Sequence, residues 1–240
     1  VPIHPAATGH RRFGRTRSLS RSASEHTHPA IVPLRLGAMA GYDEDLRFAH
    51  VLADAADAAS LDRFRARDLA VVTKIDRTPV TEADQTVEER IRTTLGRARP
   101  RDAILGEEFG STGNSPRCWV IDPIDGTENY LRGVPAWATL IGLMDGTEVV
   151  VGVVSAPALN RRWWASLGSG TYAGRSLHSA TRCRVSGITD IADAFFSYSS
   201  LDDWDTLGRG GGFESLTRTC RRTRAFGDFW SYMLVAEGGV

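Results

Sequence analysis

The chain has 240 residues, of which 42% are hydrophobic, and its formal net charge is zero. This apolar content suffices for one substantial core or two small lobes, and no run of about 18 apolar residues predicts a membrane-spanning helix. Cys118, Cys183 and Cys220 form neither a metal-binding motif nor a disulfide framework, so we expect a protein of the reducing cytoplasm without a membrane partner.

Residues 1–38 differ in composition from the rest of the chain. They contain six arginines and a single acid, Glu25, which leaves 23 basic and 28 acidic residues, a net charge of −5, for residues 39–240. The negative body argues against nucleic acid as a partner. Proline, serine and arginine without an apolar period predict a disordered extension. A transit peptide, a nucleic-acid-binding arm and upstream sequence translated ahead of a natural start at Met39 stay open as alternatives.

Two helices are predicted in the first half of the chain. Over residues 43–65, leucine and alanine recur at helical spacing behind three acids that suit a helix N-terminus. A polar connector at 74–79 precedes a second predicted helix over 82–95. Thr81 and Asp84 have the spacing of a capping box, which on local sequence alone favours a structural role for both residues.

The second half alternates short apolar runs with turn residues. Strands are predicted over 103–105, 118–122, 136–144, 149–154 and 194–199. Gly146 suggests a hairpin, and a further strand over 162–165 precedes a glycine-rich turn at 168–170. Residues 208–212, Gly-Arg-Gly-Gly-Gly, predict a mobile loop, and a final helix is predicted over 228–237. Hairpins mixed with helices indicate a layered α+β fold.

The most informative segment is residues 119–130, where an apolar strand runs into two aspartates followed by glycine and threonine. Such a segment gathers hard oxygen ligands at a strand end, as Mg²⁺ requires. An isolated Asp-Pro-x-Asp-Gly would instead favour a turn whose carboxylates cap backbone N–H groups. The preceding strand, the threonine and a second acidic motif upstream favour metal binding by Asp122 and Asp125.

The upstream motif is Gly106-Glu107-Glu108, which follows the apolar run 103–105. Two glutamates after a glycine are usually a solvated pair. Beside Asp122, however, one of them can bridge a metal and hold an attacking water, and we assign this role to Glu107 because it lies nearer the strand end. Two strand ends that carry carboxylates are what a two-metal phosphate-ester site requires.

Thr127 is the predicted partner of that water, because a hydroxyl donates and accepts at once. Its alternative role is the N-cap of a following helix, and the two roles are compatible. A helix that begins here would direct the backbone N–H groups of residues 126–128 at a phosphate. The six histidines give no nucleophile system, and no dinucleotide-binding, Walker or Gly-x-Ser-x-Gly signature is present.

Three segments together resemble the successive signatures of the inositol monophosphatase family. They are Lys-Ile-Asp-Arg-Thr-Pro-Val-Thr-Glu-Ala-Asp at 74–84, Gly-Glu-Glu at 106–108 and Asp-Pro-Ile-Asp-Gly-Thr-Glu-Asn-Tyr at 122–130. The resemblance covers about residues 43–240. It implies a layered α/β/α/β/α sandwich and a Mg²⁺-dependent phosphatase that acts on a small phosphorylated metabolite, with two or three ions per site, as a homodimer.

Two further segments are similar to the histidinol-phosphate phosphatases of actinobacteria within this family. They span residues 155–165 and 224–232. The implied reaction is hydrolysis of L-histidinol phosphate in histidine biosynthesis. Inositol-1-phosphate or a related small phosphate ester is the alternative substrate, because such relatives share the metal core.

The resemblance also implies a role for each site residue. Glu107, Asp122 and the Ile124 carbonyl would hold one Mg²⁺, and Asp122 with Asp125 would contribute to a second. Thr127, with Asp84, would orient and help deprotonate the attacking water beside Glu107. The implied substrate contacts are Glu107, Ile124, Asp125, Gly126, Thr127 and Asp228, of which Asp228 would contact the alcohol moiety.

The sequence departs from the family near its C-terminus. The family has a later Trp-Asp motif that completes the second metal site, whereas Trp204-Asp205 lies too early, in a predicted polar loop. We therefore expect a C-terminal truncation that removes a metal ligand and leaves residues 39–240 as an incomplete sandwich with exposed apolar surface, weak Mg²⁺ binding and poor turnover. An inactive remnant that binds only metal or phosphate is the alternative of another class.

Overall fold

A computed structural model of the chain describes residues 41–73 and 79–240. The disorder predicted for residues 1–38 and most of the predicted connector, residues 74–78, lie outside these ranges. The helices of the described part are α1 Asp43–Arg63, α2 Glu82–Ala98, α3 Thr127–Leu131, α4 Leu201–Thr206, α5 Gly210–Thr219 and α6 Asp228–Glu237. Two 3₁₀ helices span Pro157–Leu159 and Ile191–Asp193.

Most of the strands belong to one large sheet. The strands are β1 Val71–Thr73, β2 Pro79–Thr81, β3 Ala103–Gly106, β4 Gly110–Thr112, β5 Arg117–Asp125, β6 Ala138–Asp145, β7 Glu148–Ala156, β8 Arg161–Ser166, β9 Gly170–Gly174, β10 Ala180–Arg182, β11 Phe195–Ser197 and β12 Arg222–Arg224. Eight of them form the central sheet in the order β10-β9-β8-β7-β6-β5-β3-β4, and β1-β2 and β11-β12 form two small sheets.

The pairing of β3 with β5 decides where the acidic motifs meet. These two strands are parallel, with Gly106 opposite Ile121, whereas the other neighbours in the central sheet are antiparallel. The backbone N–H of Glu107 donates to the Ile121 carbonyl at 3.2 Å and so continues the pairing past the end of β3. Because parallel strands end at the same edge, Glu107 arrives beside the end of β5.

Helices α1 and α2 pack on one face of the central sheet. The apolar stripe of α2 faces the sheet, because Val87, Ile91 and Leu95 are at most 1% exposed and pack with Trp119 and Trp164. Small side chains let α1 approach the sheet closely; the buried ones are Ala49, Ala53, Ala56 and Ala59. Burial of these apolar surfaces is the main stabilising contribution of this layer.

Helix α6 covers part of the opposite face. Its Phe229 is 2% exposed and packs with Trp163 of β8, whereas the neighbouring Trp164 points to α1 and α2. This alternation follows from the two-residue period of a strand. The sheet therefore lies between helical layers, which confirms the predicted layered α/β fold. Within the described ranges, no helix has the length and apolar character needed to cross a bilayer.

Most predicted elements are confirmed, with ends that differ by a few residues. Two loop predictions are wrong. Helix α5 begins at Gly210, inside the segment 208–212 predicted as a mobile loop, and Trp204 lies in α4 instead of a polar loop. Glycine disfavours a helix by about 1 kcal/mol per residue. Here tertiary packing outweighs that cost, because the Phe213 ring of α5 contacts the rings of Tyr198 and Trp204 at 5.0 Å.

Candidate active site

A cavity of about 290 Å³ opens at the edge of the sheet where β3 and β5 end. Its lining includes seven of the eight predicted site residues: Glu107, Asp122, Ile124, Asp125, Gly126, Thr127 and Asp228. The eighth, Asp84, lies behind Thr127, with 3.5 Å between its Oδ1 and the threonine Oγ1. The structure therefore brings together residues from three separate sequence motifs and from α6.

Strand β5 enters the cavity through a β-bulge. Asp122 pairs with Leu140 and Asp125 pairs with Ala138, so β5 carries one extra residue between these positions. In a regular strand, residues 122 and 125 would face opposite sides of the sheet. The extra residue allows both aspartates to line the same cavity.

Thr139, on the neighbouring strand, supports this bulge. Its hydroxyl donates to the Pro123 carbonyl at 2.8 Å, and both residues are buried. The threonine side chain thus ties the backbone of the bulge in β5 to strand β6. No local sequence pattern predicts a role for Thr139, because its contact depends on the register of β5 and β6.

We expect Thr139→Val to destabilise the fold by about 1–3 kcal/mol, because the near-isosteric change removes the hydroxyl that donates to a buried carbonyl. Denaturant unfolding of the variant and the wild type measures the difference. Thr181→Val, at an exposed position of β10, is the matched control and should change stability by less than about 0.5 kcal/mol. Equal stabilities for the two variants would show that the Pro123 contact contributes nothing.

Gly126 connects the bulge to α3 in a conformation that suits glycine. Its φ is +89°, and a Cβ at this position would lie 3.0 Å from the Ala136 carbonyl oxygen. Gly126 is also the N-cap of α3, so the alternative prediction that Thr127 is the N-cap is wrong. Thr127 is instead the first helical residue, and its hydroxyl donates to the Ile124 carbonyl at 2.9 Å.

The two carboxylate oxygens of Asp84 contact different residues. Its Oδ2 accepts from the Thr81 backbone N–H at 2.8 Å and from the Thr81 hydroxyl at 2.5 Å, which confirms the predicted capping box. Its Oδ1 faces Thr127. Burial raises the pKa of Asp84 to about 6, although the Thr81 hydrogen bonds oppose this shift. A carboxylate with this pKa can exchange a proton near neutral pH.

Asp122 is the most strongly perturbed acid of the cavity. Burial, together with the negative charges of Glu107 and Asp125, raises its pKa to about 8. Its Oδ1 atom is buried and has no hydrogen-bond partner. A buried, unpartnered carboxylate oxygen is costly unless a cation or a proton neutralises it. Asp122 is therefore the position at which the cavity most needs a positive charge.

Asp125 and Asp228 connect the cavity to α6. The Phe229 backbone N–H donates to Asp125 Oδ2 at 2.5 Å, while burial and the nearby Asp228 raise the pKa of Asp125 to about 6. Asp228 has a φ of 46°, which is rare for a residue other than glycine. Its carboxylate accepts from Asn129 Nδ2 at 3.3 Å, and burial raises its pKa. The two contacts fix the start of α6 against the end of β5 and against α3.

The donor set of the cavity suits a hard divalent cation. Among the described residues, its lining is strongly acidic and contains no basic side chain; the acids are Glu107, Asp122, Asp125, Glu128 and Asp228. Within these same ranges, no three Asp, Glu, His or Cys side chains already form a metal-binding cluster. The unpartnered oxygen of Asp122 and the mutual repulsion of the acids are nevertheless what Mg²⁺ with oxygen ligands would relieve.

Comparison with known proteins identifies the family. The sequence profile of the inositol monophosphatase family matches residues 42–240. The chain belongs to this family. It is also 62% identical over 206 residues to a histidinol-phosphatase of Streptomyces coelicolor, which covers 84% of this chain and 77% of that protein. A histidinol-phosphatase of Mycobacterium tuberculosis is 52% identical over 198 residues, which covers 82% of this chain and 76% of that protein.

A solved structure supports the same assignment. The inositol monophosphatase of Zymomonas mobilis matches with a TM-score of 0.70 and 31% identity, over 83% of this chain and 75% of that one. The predicted family and fold are confirmed, and the chain is a phosphoric monoester hydrolase. Inositol monophosphatase family members depend on metal ions, generally Mg²⁺, and act on phosphorylated small molecules.

Two further residues next to this cavity were not predicted from the sequence. Glu88 of α2 and Asn129 of α3 both contact residues that surround the site. A signal for Glu88 existed, because it shares one helical stripe with the apolar Ile91 and Leu95, where a charged side chain is unusual. Asn129 lies inside the quoted motif, but its contact with Asp228 spans 99 residues and has no local signature.

Proposed function

We propose that this inositol monophosphatase family member hydrolyses L-histidinol phosphate to L-histidinol and phosphate with Mg²⁺. The observation that supports metal dependence is the buried oxygen of Asp122, which has no hydrogen-bond partner and lies in an acidic cavity. The two histidinol-phosphatase relatives support the substrate. Segment 224–232, which resembles such phosphatases, supplies Asp228 to the cavity, where its carboxylate suits a substrate that carries an ammonium group.

We assign the metal ligands to the β-bulge of β5 and to the turn that follows β3. Glu107, Asp122 and the Ile124 carbonyl would hold one ion, and Asp122 with Asp125 would contribute to a second, in a site of two or three ions. When bound, Mg²⁺ screens the phosphate charge, lowers the pKa of the attacking water and stabilises the departing alkoxide. The acidic lining makes such screening necessary, because it repels a phosphate dianion.

Thr127 and Asp84 would handle the proton of the attacking water. A hydroxyl has one proton, so Thr127 donates either to the Ile124 carbonyl at 2.9 Å or to Asp84 Oδ1 at 3.5 Å and accepts from a third partner. In the proposed reaction it accepts from the water and passes a proton to Asp84. The raised pKa of Asp84, about 6, makes this buried carboxylate a suitable acceptor at neutral pH.

The remaining contacts concern the substrate and the assembly. The backbone of residues 124–127 would bind the phosphate, and Asp228 would contact the alcohol moiety. All site residues lie between 84 and 228, so we assign the activity to the domain predicted over 39–240. The homodimer stays a prediction. So does the cytoplasmic location, which agrees with the free thiols of the three cysteines.

Inositol-1-phosphate is the second candidate substrate, because the Zymomonas mobilis neighbour is an inositol monophosphatase. Mg²⁺-dependent phosphate release from L-histidinol phosphate and from inositol-1-phosphate, measured side by side, separates the two. We expect selective release from L-histidinol phosphate that EDTA abolishes and added Mg²⁺ restores. Faster release from inositol-1-phosphate would overturn the substrate assignment, and no release from either would favour a chain that only binds metal or phosphate.

A further inference from the structure

Glu88 is a fully buried acid of α2 that lies outside the cavity lining. Its exposed fraction is 0%, and its carboxylate accepts from two consecutive backbone N–H groups, that of Glu108 at 2.7 Å and that of Phe109 at 3.2 Å. Residues 107–109 form the turn between β3 and β4, which also carries Glu107. Glu88 therefore holds the backbone of the turn that presents a proposed metal ligand.

Arg92, one helical turn further along α2, completes this contact. Its Nε donates to Glu88 Oε1 at 2.7 Å, and its other nitrogens donate to the Gly110 carbonyl and, at 3.0 Å, to the Thr112 hydroxyl. The guanidinium also lies 5.9 Å from the centre of the Phe109 ring. Arg92 thus neutralises Glu88 and binds the outgoing side of the same turn, so that both sides are fastened to one helix.

Gly106 provides the space for the Glu88 carboxylate. A Cβ at this position would lie 1.9 Å from Glu88 Oε1 and 2.3 Å from its Cδ, so any other residue would push the glutamate away. The φ of Gly106 is not in the left-handed region, so backbone conformation does not require glycine here. The close approach of Glu88 accounts for the glycine of the Gly-Glu-Glu motif.

We propose that Glu88 is a positioning residue that sets Glu107 at the metal site by holding the 107–109 turn. A buried charge is costly to desolvate and adds little net stability, so its hydrogen bonds to the turn give it a role in geometry instead. Residues that orient metal ligands through hydrogen bonds affect metal affinity strongly. This inference rests on the proposed Mg²⁺ site, with Glu107 as a ligand.

The first test compares Glu88→Gln with Glu89→Gln in the full chain. Glu89 is the exposed neighbour of Glu88 on α2, so Glu89→Gln is the same chemical change at a residue that does not contact the turn. The amide of glutamine can accept from only one of the two N–H groups, because its NH₂ is a donor. We expect Mg²⁺ binding, measured by calorimetry, to weaken about 10- to 100-fold in Glu88→Gln and to stay unchanged in Glu89→Gln.

Hydrogen–deuterium exchange without Mg²⁺ gives a second readout that needs neither metal nor substrate. Amide exchange over residues 107–110 should be faster in Glu88→Gln than in the wild type, by more than any change in the exchange of the sheet core. Glu89→Gln should show no such local increase. Unchanged exchange in this turn would overturn the positioning role whatever the metal does. Failure of the wild type to bind Mg²⁺ would instead overturn the proposed function and the metal part of the inference.

A double-mutant cycle keeps the inference testable if Glu88→Gln does not fold. Gly106→Ala alone should displace the carboxylate and weaken Mg²⁺ binding, whereas in a Glu88→Ala background the new methyl group enters vacated space and should have little further effect. Independent sites would give additive losses. Additive losses, or wild-type Mg²⁺ affinity in Gly106→Ala, would show that Glu88 does not act through this turn.

Discussion

Asp122→Asn is expected to abolish Mg²⁺ binding and Mg²⁺-dependent phosphate release, yet to make the metal-free protein more stable at pH 8. The carboxylate is the proposed shared ligand of two ions, so its loss removes ligands from both. In the metal-free protein the same carboxylate is buried, lacks a partner at Oδ1 and faces the charges of Glu107 and Asp125. Asparagine keeps the shape and removes the charge.

The stability difference should depend on pH. The pKa of Asp122 is about 8 in the folded chain and about 3.9 in an unfolded one, so the folded state binds more protons between these values. Its contribution to the free energy of unfolding is therefore complete below about pH 4 and is lost as pH rises through about 8. The loss should be on the order of a few kcal/mol in the wild type and smaller in Asp122→Asn.

Thermal unfolding between pH 5 and 9, with EDTA or with Mg²⁺, measures both effects. Mg²⁺ should raise the melting temperature of the wild type at pH 8 and leave that of Asp122→Asn unchanged. Asp202→Asn, an exposed change in α4, is the matched control and should behave like the wild type. Retained Mg²⁺ affinity in Asp122→Asn, or lower metal-free stability at pH 8, would contradict the assignment of Asp122 as a buried metal ligand whose charge destabilises the metal-free protein.

The sequence was sufficient to predict the parts of the site that depend on local pattern. Each acidic motif follows an apolar run, which predicts that both acids lie at strand ends; the parallel pairing of β3 with β5, which local pattern does not predict, then places Glu107 beside Asp122. The capping box of Thr81 and Asp84 is equally local, because its three-residue spacing is the geometry of a helix start. Strand ends and helix caps can be predicted in this way because the spacing of a few neighbouring residues determines their geometry.

The residues that support the site were harder to predict, because their contacts join distant parts of the chain. Thr139 meets Pro123 only through the bulged register of β5 and β6, which no pattern in either strand announces. The approach of Asp228 to Asn129 depends on how α6 packs on the sheet through Phe229. The prediction that Asp228 lies at the cavity came from the family resemblance, because no local sequence pattern indicates it.

The wrong loop prediction at α5 also arises because contacts between distant residues decide the structure there. Four glycines in residues 208–212 correctly indicate a weak intrinsic helix. The helix forms because Phe213 packs with Tyr198 and Trp204, a cluster that spacing along the chain does not reveal. Local propensity therefore fails here where a few aromatic contacts between elements decide the backbone conformation.

Thr127→Val should lower kcat about 10²- to 10⁴-fold, the range expected when a group that handles a proton in the transition state is lost. Valine keeps the branched shape but can neither accept from the attacking water nor donate to Asp84. Mg²⁺ affinity and KM should change little, because the ligands and the Ile124 carbonyl remain. Global stability should fall by only about 0.5–1.5 kcal/mol for the lost hydrogen bond to that carbonyl.

The pH profile distinguishes a proton-handling role from a merely structural one. Protonated Asp84 cannot accept, so wild-type kcat should fall as pH drops through about 6, the pKa that burial gives this carboxylate. Thr127→Val should lose this acid limb, and Thr127→Ser, which keeps the hydroxyl, should retain both the limb and most of the rate. A Thr127→Val enzyme with near-wild-type kcat, or with an unchanged acid limb, would remove Thr127 and Asp84 from the proton path and leave Asp84 as the cap of α2 alone.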